Sequence, residues 1–300
     1  SNPAFQSLLS GGIAGVVSRT AVAPLERVKI LFQVQTLSAQ GQPLRHTSVL
    51  GSVKDIVRRE GVSGLWRGNS SNCVRVFPSS ALQFTAYGEW KRLLYGEREQ
   101  LQPVERLVAG GLAGAVAQTV TYPLDFIRAR LTADMRGTYS KGMWAAMADV
   151  VRAEGVLALY RGLLPSLFGI VPYVGIDFAV YDVLRQYAPK RSADSNEPST
   201  LGKLAAGGFA GACAQTVAYP LDTVRRILQV QDTKVRADGE RYHGMVDCFV
   251  RLVRRDGLLA LYRGLGANYL KVIPSVGLSF VVFEACRAQL QERFPPAERR

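Results

Sequence analysis

Cysteine and histidine are scarce in this chain: four cysteines (Cys73, Cys213, Cys248, Cys286) and two histidines (His46, His243) in 300 residues. No Cys-x-x-Cys pair occurs, so the sequence gives no basis for a Cys/His zinc site or a disulfide framework. The thiols are expected to be reduced and mostly buried. Both histidines stand in polar connections, where a surface position is the expectation. No nucleophile–base pair and no metal constellation supports an enzyme, and no cofactor is expected. Neither a secretory signal with charged head and cleavage site nor a transit peptide is recognisable, and apolar sequence begins at Phe5. Acidic residues are also in deficit. Asp and Glu number 24 against 37 Lys and Arg, a formal charge of +13. That imbalance suits an anionic partner, whether nucleic acid, anionic lipid or a phosphorylated solute.

Hydrophobic residues, by contrast, make up 48% of the chain, with 29 glycines. Yet the mean hydropathy is only +0.05. An ordinary polytopic membrane protein would score higher. A membrane protein enclosing a wide aqueous cavity would score this low, because many helix positions would face water instead of lipid.

The sequence repeats itself three times. Ala23-Pro24-Leu25-Glu26-Arg27-Val28-Lys29 aligns with Tyr122-Pro123-Leu124-Asp125-Phe126-Ile127-Arg128 and with Tyr219-Pro220-Leu221-Asp222-Thr223-Val224-Arg225. Trp66-Arg67-Gly68, Tyr160-Arg161-Gly162 and Tyr262-Arg263-Gly264 recur in step, each after an acidic-Gly pair. Eleven residues beyond each of those arginines stands Pro78, Pro172 or Pro274. The units divide as residues 1–100, 101–196 and 197–300, with a polar linker at 190–198. Each unit reads as two long apolar stretches joined by a charged, amphipathic connection. The stretches are 5–25 with 71–90, 107–124 with 165–184, and 201–221 with 268–286, each near the ~20 residues a spanning helix needs. The expected fold is therefore an all-α membrane protein of six transmembrane helices in three pseudo-threefold repeats, with short amphipathic helices between them. Glycines four apart (Gly11/Gly15, Gly110/Gly114, Gly207/Gly211) predict close helix approach on the odd-numbered spans.

Ionisable residues inside spans are costly and are expected to face a cavity with partners. Around a threefold axis, each acid of the first motif can reach the base of the next repeat. The predicted ring is Glu26–Arg128, Asp125–Arg225 and Asp222–Lys29. The even helices end on a related pattern that supplies Lys91–Asp182 and Arg185–Glu284. Arg287 is left without its acid, because Gly88 stands at that position. Two such rings suggest gates that close in alternation.

At these residues the chain resembles the mitochondrial carrier family, whose signature is Pro-x-[Asp/Glu]-x-x-[Lys/Arg] in three repeats. The likeness covers roughly residues 5–290. It implies a six-helix bundle in the inner mitochondrial membrane, functional as a monomer or associated with a respiratory assembly, with one central substrate site. It also implies matrix-side braces one turn past each ring base, here Gln33 and Gln229, with Thr132 breaking the pattern. Cardiolipin is implied at Arg67-Gly68, Arg161-Gly162 and Arg263-Gly264. Counting thirteen residues back from the even-helix acid positions gives Arg75, Gly169 and Lys271 at one depth. Two cations there fit polyphosphate, and Gly169-Ile170 resembles the adenine slot of nucleotide carriers. Arg19 and Arg226 match further cavity positions. The segments around Arg19 and Lys271 look most like the plant adenine nucleotide transporter subgroup. The implied activity is exchange of adenine nucleotides (AMP, ADP, ATP). Coenzyme A or ATP-Mg/phosphate transport, or a carrier fold serving as a structural subunit, stand as alternatives. A soluble nucleic-acid binder is excluded by the six apolar stretches.

Overall fold

The computed structural model of the chain describes residues 3–35, 48–96, 101–134, 137–139, 142–187, 200–231 and 241–293. The 190–198 linker and His46 lie outside the described residues. Each repeat folds as long helix, short helix, 3-10 turn, long helix. The first contains α1 (Pro3–Val34), α2 (Val49–Glu60) and α3 (Asn69–Tyr95). The second contains α4 (Pro103–Ala133), α5 (Met143–Glu154) and α6 (Leu163–Tyr187). The third contains α7 (Thr200–Val230), α8 (Met245–Asp256) and α9 (Leu265–Arg293). The 3-10 turns are Val62–Trp66, Val156–Tyr160 and Leu258–Tyr262. No strand occurs among the described residues.

The main packing runs between repeats, not within them. α3 lies along α4, α6 along α7, and α9 along α1, which closes a ring. The odd helices α1, α4 and α7 also meet one another pairwise.

The odd helices run further than the apolar pattern indicated. The first apolar stretch ends at 25, but α1 is 32 residues long, about 48 Å at the α-helical rise. Pro24, Pro123 and Pro220 are interior. An interior proline supplies no N–H to the carbonyl one turn back. At Pro24 that carbonyl is Thr20 O, and Trp66 Nε1 donates to it at 2.8 Å. Beyond the prolines the helices are held by packing. Val28 and Leu31, Phe126 and Ile127, and Val224 and Ile227 are buried in three apolar clusters beneath the short helices. Burial of this kind outweighs the loss of one ladder hydrogen bond.

Glycine closes each short helix for a conformational reason. Gly61, Gly155 and Gly257 have φ of 77°, 83° and 79°, a region that L side chains avoid. This explains half of the acidic-Gly motif. The other half belongs to the functional site.

The outward faces of the long helices are apolar and uncovered. Phe84, Val171, Phe209 and Val281 are 72%, 74%, 60% and 63% exposed. Water would penalise such a surface and a bilayer would not. Among the described residues, three segments are long and apolar enough to cross a membrane: Val104–Ala133, Val156–Tyr187 and Leu258–Cys286. The helices α1, α3 and α7 are not among them. Each carries polar or charged side chains on its inner face, such as Arg19, Arg75 and Gln215.

Two expectations change. Gly11, Gly110 and Gly114 meet open space, and Gly207 and Gly211 make only ordinary contacts, so these five do not mediate close approach here. Gly15 does, since a Cβ there would stand 3.3 Å from the Val76 side chain, and so does Gly12, where a Cβ would run into the ring of Phe77. Of the four free cysteines only Cys248 is buried, because the other three lie on partly exposed faces of the long helices.

Candidate substrate cavity and ion-pair ring

The convergence of α1, α4 and α7 brings the six motif charges together. Arg128 Nη2 stands 3.2 Å from Glu26 Oε1, Arg225 Nη2 2.6 Å from Asp125 Oδ2, and Lys29 Nζ 2.8 Å from Asp222 Oδ2. Gln33 donates to Asp222 at 3.1 Å and Gln229 to Asp125 at 3.0 Å. Thr132, at the third equivalent position, points elsewhere and donates to Arg67 O at 3.4 Å. The acids are from 1% to 19% exposed at their side chains. At that burial, stripping one partner costs more than at the surface.

Behind the ring, the even helices each send one position towards the acid of the following odd helix. Arg75 on α3 places Nη1 3.8 Å from Asp125 Oδ1. Lys271 on α9 pairs with the second oxygen of Glu26, so it supports the one ring pair that lacks a glutamine. Gly169 on α6 has nothing to send. A cavity of about 210 Å³ lies there instead, lined by Gly169, Ile170, Tyr173, Gln118, Asp222 and Arg225 among others. A second space of about 510 Å³ runs along α1 and α9 past Arg19, Ser275 and Phe283. Arg19 donates to Asn72 at 3.4 Å. Arg226, expected in the cavity, is turned into the ring. It is 5% exposed, 3.3 Å from Asp125 and 2.9 Å from Gln229.

Three charges of the second set are apart in this state. Asp182, Arg185 and Glu284 are exposed and form no ion pair with any described residue. Lys91 is half-buried near the end of α3, and the side chain of Arg287 lies outside the described residues.

The aromatic-Arg-Gly motifs do something the sequence did not reveal. Each arginine is spent on the acid that ends its own short helix. Arg67 reaches Glu60 at 3.2 Å and Asp134 at 2.8 Å, Arg161 pairs with Glu154, and Arg263 reaches Asp256 at 2.8 Å. Each glycine presses on the backbone of a ring base in the next repeat. A Cβ on Gly68, Gly162 or Gly264 would stand 3.1, 2.9 or 2.9 Å from the carbonyl of Arg128, Arg225 or Lys29. The motif thus props the ring from outside.

Two further arginines were missed because threefold symmetry does not repeat them. Arg27 and Arg130 are 1% and 3% exposed. Arg27 binds Glu60 at 2.6 Å and crosses to Thr132 O at 3.1 Å. Arg130 binds Glu154 and crosses to the carbonyls of Gln229 and Gln231, both at 3.1 Å. They tie repeat 1 to repeat 2 and repeat 2 to repeat 3. At the junction of α7 with α1 the equivalent positions hold Thr223 and Ile227.

A closed ring of six helices, apolar outward, with a basic cavity sealed at one end by interlocked charges, defines a membrane solute carrier. The sequence comparisons agree. The model of the family described as mitochondrial carrier protein matches three times, over residues 1–98, 99–192 and 196–294, and the chain belongs to that family. The mitochondrial adenine nucleotide transporter of Arabidopsis thaliana is 42% identical over 96% of this chain and 88% of its own length. The mitochondrial substrate carrier family protein P of Dictyostelium discoideum is also 42% identical, over 95% of this chain and 94% of its own. The mitochondrial adenyl nucleotide antiporter of Mus musculus is 38% identical over 95% of this chain. The match spans only 58% of that longer protein.

Proposed function

We propose that this chain is an antiporter that exchanges adenine nucleotides across the inner mitochondrial membrane by alternating access. The observation that carries the reading is the trio at one depth: Arg75, Lys271 and, in the third place, Gly169 beside an open slot. Two cations take phosphate and the slot takes the flat base. The similarity to relatives named as adenine nucleotide carriers supports the same substrate. The purified protein, reconstituted into liposomes, should take up labelled ADP only when nucleotide is loaded inside. Uptake of coenzyme A in place of ADP would move the reading to that substrate, and uptake of neither would remove it.

In this reading the ring of Glu26, Lys29, Asp125, Arg128, Asp222 and Arg225, braced by Gln33 and Gln229, is the matrix gate. The ring of Lys91, Asp182, Arg185, Glu284 and Arg287 is the cytoplasmic one. Cardiolipin phosphate at the motif glycines would be held by the N–H groups that begin α3, α6 and α9, since the guanidinium groups are already paired. The two gates are unequal. The matrix ring has three pairs and two braces, and the cytoplasmic ring can form two pairs, because Gly88 offers Arg287 nothing. The cytoplasmic pairs form from exposed or half-buried side chains, so each contributes about 1 kcal/mol or less. Gly88→Asp adds a third pair, and a side chain there meets no steric obstacle. The expected result is a shift of the population towards the matrix-open state. Cysteine accessibility at cavity positions should fall from the cytoplasmic side and rise from the matrix side. An unchanged labelling pattern would show that pair number does not set the balance.

A further inference from the structure

Gln118 stands on α4 at the position that Arg19 occupies on α1 and Gln215 on α7, five residues before each signature proline. It lines the slot beside Gly169 and Ile170. Its side-chain carbonyl accepts Arg75 Nη1 at 3.5 Å. Its amide nitrogen is sealed from solvent and has no acceptor among the described residues. A buried donor left without an acceptor is destabilising. Such a group beside an open slot of about 210 Å³, room for about seven waters or a bicyclic ring, points to an acceptor on a ligand.

From this we infer that Gln118 reads the base and sets the preference for adenine over guanine. The inference rests on the nucleotide reading above. When Arg75 turns to phosphate, both atoms of the carboxamide become available. The oxygen accepts from the exocyclic amine of adenine and the nitrogen donates to N7 beside it, a pairing that matches one donor and one acceptor. Guanine presents two acceptors along the same edge. One end of the carboxamide would then face an acceptor it cannot satisfy, inside a slot where unpaired polar groups are costly. Arg75 therefore serves the phosphates of every nucleotide, and Gln118 distinguishes the bases.

The test is initial uptake of ADP and of GDP by reconstituted protein, both below saturation. The wild type should favour ADP. In Gln118→Leu, which keeps the bulk and removes both polar atoms, the ADP-to-GDP ratio should fall by about tenfold or more. The ratio separates base reading from a merely structural role. If Gln118 only positioned Arg75, both nucleotides would slow together and the ratio would hold, which would overturn the inference. Should the leucine variant not insert, Gln118→Asn, which retracts the carboxamide by one methylene, gives the same readout. A wild type that carries both nucleotides equally would also overturn the inference. A wild type that carries neither would overturn the adenine-nucleotide reading itself, and this inference with it.

Discussion

Arg130→Ala should destabilise the protein by about 3–5 kcal/mol, the cost of stripping one partner from a buried ion pair. Glu154 is 2% exposed at its side chain, and when Arg130 leaves only the more exposed Arg161 remains to compensate its charge. The arginine also donates to the carbonyls of Gln229 and Gln231 and lies over the Phe126 ring at 4.6 Å. Its removal therefore opens the junction between repeats 2 and 3 as well. Arg130→Lys should recover only part of the loss, because a lysine cannot fork between a carboxylate and two carbonyls. Thermal unfolding in detergent measures all of this. The pair Arg251–Asp247, with 43% and 27% of its side chains exposed, is the contrast, and Arg251→Ala should cost far less than Arg130→Ala. Equal losses for Arg130→Ala and Arg251→Ala would refute the burial argument.

The same pair has a pH signature. Burial pushes the Glu154 carboxyl up, but the hydrogen bonds and charges of Arg130 and Arg161 outweigh it and hold the group below its usual range. A depressed carboxylate contributes stability that is present above its unfolded value and lost as pH falls through the folded one. The penalty of Arg130→Ala should therefore be full at neutral pH and shrink in acid, as Glu154 takes up a proton in the variant.

Symmetry explains both what could be read from the sequence and what could not. Three copies of an acid-base motif on three helices dictate a cyclic pairing, and the structure pairs Glu26 with Arg128, Asp125 with Arg225 and Asp222 with Lys29. Counting equivalent positions likewise put Arg75, Gly169 and Lys271 at one level. Arg27 and Arg130 escaped because each occurs once: Phe126 and Thr223 stand where Arg27 does, and Leu31 and Ile227 where Arg130 does. A search for repeated patterns passes over such residues. The continuation of α1 to Val34 was hidden for another reason. Beyond Pro24 the helix alternates buried apolar and buried charged residues, Val28 beside Arg27 and Lys29. No apolar periodicity survives there, because neighbouring repeats cover the helix on several sides. The aromatic-Arg-Gly motif was legible as a motif but not as a prop, since the backbone against which its glycine packs belongs to the next repeat.

Arg75→Ala should reduce nucleotide exchange by about 10- to 150-fold while leaving the melting temperature close to that of the wild type. The first half follows from the cavity. Arg75 Nε is buried and has no partner among the described residues, and the 3.8 Å approach to Asp125 is long for a charge-assisted bond. The guanidinium is thus largely desolvated and only loosely held. A bond from such a group to phosphate contributes about 1.5–3 kcal/mol, which is the stated range of rates. The second half follows from the ring. Asp125 keeps Arg225 at 2.6 Å, Arg226 at 3.3 Å and Gln229 at 3.0 Å when Arg75 is gone. Its charge stays compensated, and the closed end has no reason to loosen. Lys271→Ala differs at this point. Glu26 would lose one of its two cations, and Thr132 supplies no brace in place of a glutamine. That variant should lose exchange and also admit thiol reagents from the matrix side to cysteines placed in the cavity. Uptake by liposomes, thermal unfolding and cysteine labelling on the two variants separate phosphate binding from gate support. Exchange at the wild-type rate by Arg75→Ala would remove the proposed site, and equal matrix-side labelling in both variants would show that Lys271 does not support the gate.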